Sequence, residues 1–130
     1  MSLGFSCVIA GPFESAVERV REALAAEGFG IVSEIDVQAT LRKKLDVDFR
    51  PYVILGACNP GLAKKAIDAD PEVGLLLPCN VTVEDVEGGF KVTAVNPDAM
   101  LAAAPANEAI LEVAADARPR LERAIAALSG

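Results

Sequence analysis

The sequence predicts an α+β fold: a two-layer domain with a mixed, largely antiparallel sheet packed against helices. Three observations lead there. Runs with the period of a half-buried strand alternate with runs at helical spacing. Late in the chain, Glu87-Gly88-Gly89 reads as a hairpin turn between two strand-like segments. The chain has 130 residues, 52% of them apolar, enough for one core without disulfide or metal staples. The expected order is β-α-β-α-β-α-β-β-α over a single domain, residues 1–130.

The elements follow in turn. Phe5, Cys7 and Ile9 alternate with smaller or polar neighbours, and Gly11-Pro12 ends that strand. Phe13–Glu27 places Val17, Val20 and Leu24 on one helical face, and Gly28 and Gly30 supply a stop that tolerates left-handed backbone. Ile31–Ile35 is a short strand. Asp36 then suits the N-cap of a second helix with a Val37, Leu41, Leu45 stripe. Pro51 requires an extended approach to the next strand. Tyr52–Cys58 is apolar almost throughout, as in a central strand covered on both faces.

Asn59 can cap the following helix, and Pro60 fits its first turn, where a missing N–H costs nothing. That helix, Pro60–Ala69, is expected to bury Ala63, Ala66 and Ile67. Val73–Leu77 and Asn80–Val86 read as one strand bent at Pro78, returned by Phe90–Val95. A short helical stretch, Pro97–Ala104, precedes a terminal helix at Asn107–Leu128. Its expected inward set is Ile110, Leu111, Ala114, Ala117, Leu121, Ile125 and Leu128, with a kink from Pro119 near Ala115. With short helices and so apolar a composition, a homodimer is the expected way to cover the excess.

Composition narrows the function classes. The longest apolar runs are far shorter than the roughly 20 residues a membrane span needs, and no export signal is visible, so a cytoplasmic location is expected. A net charge of −7 argues against nucleic acid or an anionic membrane as partner. Six of the twelve basic residues nevertheless fall between Arg42 and Lys65, with only Asp46 and Asp48 opposing them there. Such a zone can attract a small anion or form ordinary solvated helix faces.

Three cysteines do not make a disulfide framework. Cys7 lies in mid-strand and reads as structural. Cys58 precedes a helix N-terminus, where free N–H groups and the helix dipole favour a thiolate, and Lys64 and Lys65 follow one turn on. The same cysteine is equally at home as a small hydrophobe ending a core strand. Cys79 lies between Pro78 and Asn80 at a bend of the kind that re-aims side chains. If the two strands are neighbours, Cys58 and Cys79 meet; if not, they are separate core thiols. Asn59 and Asn80 read as backbone-satisfying residues or as amides that orient a ligand. The chain has no histidine, which removes a Ser-His-Asp arrangement. Two cysteines at this spacing match no zinc motif, so no metal and no cofactor are expected.

Gly-Phe-Gly at 28–30, Glu-Ile-Asp at 34–36, Arg-Pro-Tyr at 50–52, Ile-Leu-Gly-Ala-Cys-Asn-Pro at 54–60 and Gly-Leu-Leu-Leu-Pro-Cys-Asn-Val at 74–81 together resemble the domain of unknown function 302 family. The resemblance runs from about Phe13 to Asp98. It implies a small bacterial α/β domain similar to known homodimers, and it matches Cys58, Asn59, Pro60, Pro78, Cys79 and Asn80 to the family signature. Many relatives carry a histidine where Lys64 stands here, a departure that weakens any mechanism needing an imidazole.

The leading expectation is a dimer that binds a small anionic or sulfur-containing ligand around Cys58 and Cys79, with Asn59, Asn80, Lys64 and Lys65 as ligand contacts. Two alternatives stand beside it, so whether the chain is an enzyme is left open. One is a thiol-dependent redox enzyme or persulfide carrier using both cysteines. The other is a structural or interaction module whose cysteines belong to the core.

Overall fold

Strands β1 (Gly4–Ile9), β2 (Gly30–Asp36), β3 (Tyr52–Cys58), β4 (Cys79–Val86) and β5 (Gly89–Val95) form one sheet in the order β1-β5-β4-β3-β2. This computed structural model describes residues 2–129. Helices α1 (Phe13–Ala26), α2 (Val37–Leu45), α3 (Pro60–Ala69), α4 (Pro97–Leu101) and α5 (Glu108–Ser129) complete it, with a 3-10 helix at Pro71–Leu76. The two-layer α+β class is as expected. The sheet is antiparallel at every pairing, however, where a mixed sheet was expected. Helix α1 does join two strands that run in the same direction, but β1 and β2 end up at opposite edges with three strands between them. A parallel relation therefore exists without a parallel ladder.

One sheet face is the core. Val53, Leu55 and Ala57 of β3, Val81 and Val83 of β4, and Val92 and Ala94 of β5 are buried against Ala16, Val20 and Leu24 of α1 and Ala117, Leu121, Ala124 and Ile125 of α5. These positions alternate along each strand, so the other face carries Tyr52, Ile54, Thr82, Glu84 and Thr93, half-buried at most. Gly28 ends α1 in the left-handed region (φ 86°), and the Phe29 N–H donates to the Leu24 carbonyl, which turns Phe29 into the core at 2% exposure.

A second, smaller cluster gathers Ala66, Val73, Leu101, Ile110, Val113 and Ala114. Helix α5 belongs to both. Its first half packs in the small cluster and its second half in the large one. Pro119, whose ring removes the hydrogen bond to the Ala115 carbonyl, loosens the ladder at the changeover between Ala114 and Ala117.

Three packing expectations need correction. Val73–Leu77 is not a strand. Asp70 accepts from the Glu72 N–H, Pro71 takes the first helical position, and the segment coils as a 3-10 helix that buries only Val73. A short unbroken apolar run carries no periodicity, so its sequence could not separate the two outcomes. Helix α2 forms where Asp36 caps it, yet none of its residues is buried and Leu45 is 64% exposed, because it follows an edge strand beyond the reach of the core. Ile67 and Leu111 are also exposed rather than in the core, Ile67 at the mouth of a cleft, and Val113 and Ala124 take buried places instead.

Candidate functional site

The antiparallel pairing of β3 with β4 sets Ala57 opposite Cys79, so the end of one cysteine motif lies beside the start of the other. Local chemistry fixes this junction residue by residue. A Cβ at Gly56 would lie 2.1 Å from Ser33 Oγ and 2.7 Å from Pro78 Cγ, so only glycine lets the flanking segments close in. Asn59 Oδ1 accepts from the Leu62 N–H at 3.2 Å and caps α3, with Pro60 in the first turn. The chain therefore leaves the sheet sharply after Cys58 and opens a hollow against α3.

That hollow is a cleft of about 280 Å³ at the seam between the two hydrophobic clusters. Ala57, Cys58 and Cys79 form its sheet wall. Leu62 and Ile67 of α3, Met100 of α4 and Val113 and Ala117 of α5 form the helical wall, and Phe29 and Leu77 complete the lining. Among the described residues, Asn59 contributes the only polar side chain apart from the two thiols, and no charged group lines the space. Cys58 is half-buried and Cys79 is 7% exposed. Burial, reinforced by the neighbouring Cys58, pushes the Cys79 thiol up to about 11, so it is protonated at neutral pH.

The six residues expected at the site divide evenly. Cys58, Asn59 and Cys79 meet in the cleft. Lys64 bonds to Asp68 and Lys65 to Glu112 on the solvent side of α3, and neither lines the cleft. Asn80 points the opposite way from Cys79, as adjacent strand residues do, into a shallow hollow with Tyr52, Thr82 and Glu84. Cys7 lies in mid-strand, packed half-buried against the main core and away from the cleft. Sequence reasoning missed the rest of the lining. Phe29, between two glycines, was legible only as part of a helix stop, and nothing in the alanine-rich stretch marked Met100.

Among the described residues, no helix is long and apolar enough to cross a membrane, and no group of three or more His, Cys, Asp or Glu side chains is placed to hold a metal ion. Fold and site together define a two-layer α+β domain with a thiol-bearing apolar cleft at the end of its central strands. The chain belongs to the family described as Domain of unknown function DUF302, whose model matches residues 5–128. A crystal structure of an uncharacterized conserved DUF302 protein from Bacillus stearothermophilus is similar throughout, with a TM-score of 0.87 and 29% identity over 98% of this chain and 99% of that one. No match was found among curated proteins.

Proposed function

We propose that the protein is a homodimeric binding domain that takes a small apolar or sulfur-containing ligand into the cleft, with Cys58 and Cys79 on one wall. The observation that carries this reading is the lining: an apolar cavity of about 280 Å³ whose polar groups are two thiols and one amide. Pockets that hold small organic ligands have this character, mostly apolar with a few convergent polar groups. The lining favours an apolar or sulfur-containing ligand over an anion, because both nearby lysines are ion-paired outside.

The test is saturable binding of a neutral fluorescent probe, N-phenyl-1-naphthylamine, to the intact protein. Gly74 lines the cleft, and a Cβ there meets nothing within 4 Å, so Gly74→Trp can obstruct the cleft without straining the backbone. The expected result is binding by the wild type and its loss in Gly74→Trp. Absence of saturable binding in the wild type overturns the reading.

Exposed apolar side chains at the two edges of the outer sheet face support the dimer reading: Val8 on β1, 53% exposed, and Ile35 on β2, 50% exposed and paired with half-buried Ile54. A monomeric mass at micromolar concentration in sedimentation equilibrium contradicts it. In the thiol-enzyme alternative Cys58 is the nucleophile and Cys79 the resolving thiol, and the raised Cys79 thiol disfavours that second role, since a resolving attack also requires a thiolate. The backbone roles of Gly56, Asn59 and Pro60 agree with the structural-module alternative, and they coexist with binding because the same junction shapes the cleft.

A further inference from the structure

Three sulfur-bearing residues from separate parts of the chain line one cavity: Cys58 closes β3, Cys79 opens β4 and Met100 lies on α4. We propose that Cys58, Cys79 and Met100 form a binding site for a soft monovalent metal ion, Cu(I), within the cleft. The inference rests on the ligand-binding reading of that cleft and names one ligand class for it.

Donor chemistry is the first ground. Thiolate and thioether sulfur select Cu(I), whereas carboxylate and carbonyl oxygen suit magnesium, calcium and manganese. Among the described residues no carboxylate lines this cavity, and the chain has no histidine at all. A structural zinc site needs four nitrogen or sulfur ligands in a tetrahedron, and the cleft offers two thiols. A small set of soft donors in an apolar pocket leaves Cu(I) as the ion that fits.

Placement is the second. The register that sets Ala57 against Cys79 puts Cys58 one residue along the adjacent strand, so the two thiols come from neighbouring backbone. Helix α4 is anchored to the sheet by Asn96, 3% exposed. Its Nδ2 donates to the Ser2 carbonyl and its Oδ1 accepts from the Asp98 N–H, each at 3.0 Å. Met100, whose N–H donates to the Asn96 carbonyl, is thereby held at the seam and packs against both clusters. Its flexible thioether can adjust to an ion without moving the sheet.

Charge is the third. On binding, both thiols release their protons to solvent and two Cu–S(thiolate) bonds form, with the neutral Met100 thioether as third donor. Copper stays Cu(I) throughout. The complex carries one net negative charge beside the N-terminus of α3, a ten-residue helix beginning at Pro60 whose positive dipole end favours it.

The experiment is anaerobic competition for Cu(I) between bicinchoninate and the whole protein, with ascorbate keeping copper reduced. The wild type is expected to retain one Cu(I) per chain. Cys58→Ser and Cys79→Ser are each expected to weaken retention by at least the roughly 10–100-fold that loss of an outer-shell partner costs a metal site, and Met100→Leu by about 10-fold. Cys7→Ala, outside the cleft, is expected to match the wild type. Circular dichroism is the control that each variant is folded.

No retention by the wild type, or equal retention in Cys58→Ser, overturns the site. Unchanged affinity in Met100→Leu overturns the third donor. Zinc retained as well as copper overturns the soft-ion assignment. If the naphthylamine probe binds saturably but Cu(I) is not held, the metal inference fails while the cleft reading stands; if neither binds, both fail.

Discussion

The sheet wall of the cleft stands on paired strands backed by Leu55, Val81 and Leu121, each 0% exposed, whereas the helical wall rests on a six-residue cluster centred on Val73 and Val113. The first wall carries Cys79 in the β3–β4 ladder opposite Ala57 and Cys58 in the β2–β3 ladder opposite Gly30, with Pro78 and Ser33 closing on Gly56 between them. The second is assembled from short segments: α3, the 3-10 helix, α4 and half of α5. Opening free energies in a protein follow local packing and span the range from near zero to global unfolding. The difference teaches how labour is divided here. Both thiols sit on the wall backed by the larger core, and short segments backed by the smaller cluster supply most of the facing wall.

Core truncation probes this contrast most strongly. Leu121→Ala, in the large cluster, is expected to cost about 3–5 kcal/mol of global stability in urea unfolding. Next comes pH. The folded Cys79 thiol titrates near 11 against an ordinary value of 9.0, so between those values the unfolded chain has released a proton that the folded chain keeps. Stability is therefore full below pH 9 and falls as pH rises toward 11, by about 2–3 kcal/mol in all. Urea midpoints at pH 8 and 11 should show a steeper decline in the wild type than in Cys79→Ala. Equal slopes would remove Cys79 from the protected wall.

Val73→Ala, in the small cluster, is expected to cost about 2 kcal/mol. Hydrogen exchange should localise its effect to α3, α4 and the first half of α5, leaving β3 and β4 protected. Uniform loss of protection would merge the two walls into one cooperative unit. The smallest effect belongs to Pro119→Ala, which restores the bond to the Ala115 carbonyl but frees the unfolded chain, for a net gain of about 1 kcal/mol. It should slow exchange around Ala115 and couple the two halves of α5.

The same contrast sorts what the sequence could reveal. Where period and punctuation coincide, as in β1, α1, the Glu87–Gly89 hairpin and α5, elements emerge within a few residues of their expected limits. The Asn59-Pro60 cap was readable because it depends only on one side chain and the next three residues. Val73–Leu77 was not, since a five-residue apolar run fits a buried strand and a 3-10 coil alike, and the Pro71 start with its Asp70 cap decides between them. Two charges drew attention to Lys64 and Lys65, yet on an exposed helix face each finds an acidic partner, Asp68 or Glu112. Cys58 and Cys79 were legible as motifs, but their meeting depended on a strand register that no local pattern encodes. Met100 joins them only through the fold.

What matters most is whether Cys58 faces a cavity that a ligand fills. The most direct test is the rate of N-ethylmaleimide labelling of each cysteine in the native protein, read by peptide mass spectrometry with and without saturating N-phenyl-1-naphthylamine. The probe is expected to slow labelling of Cys58 severalfold and to leave the rate at Cys7 unchanged. Labelling of Cys58 at the same rate in both conditions, or only after denaturation, would contradict a ligand-filled cleft.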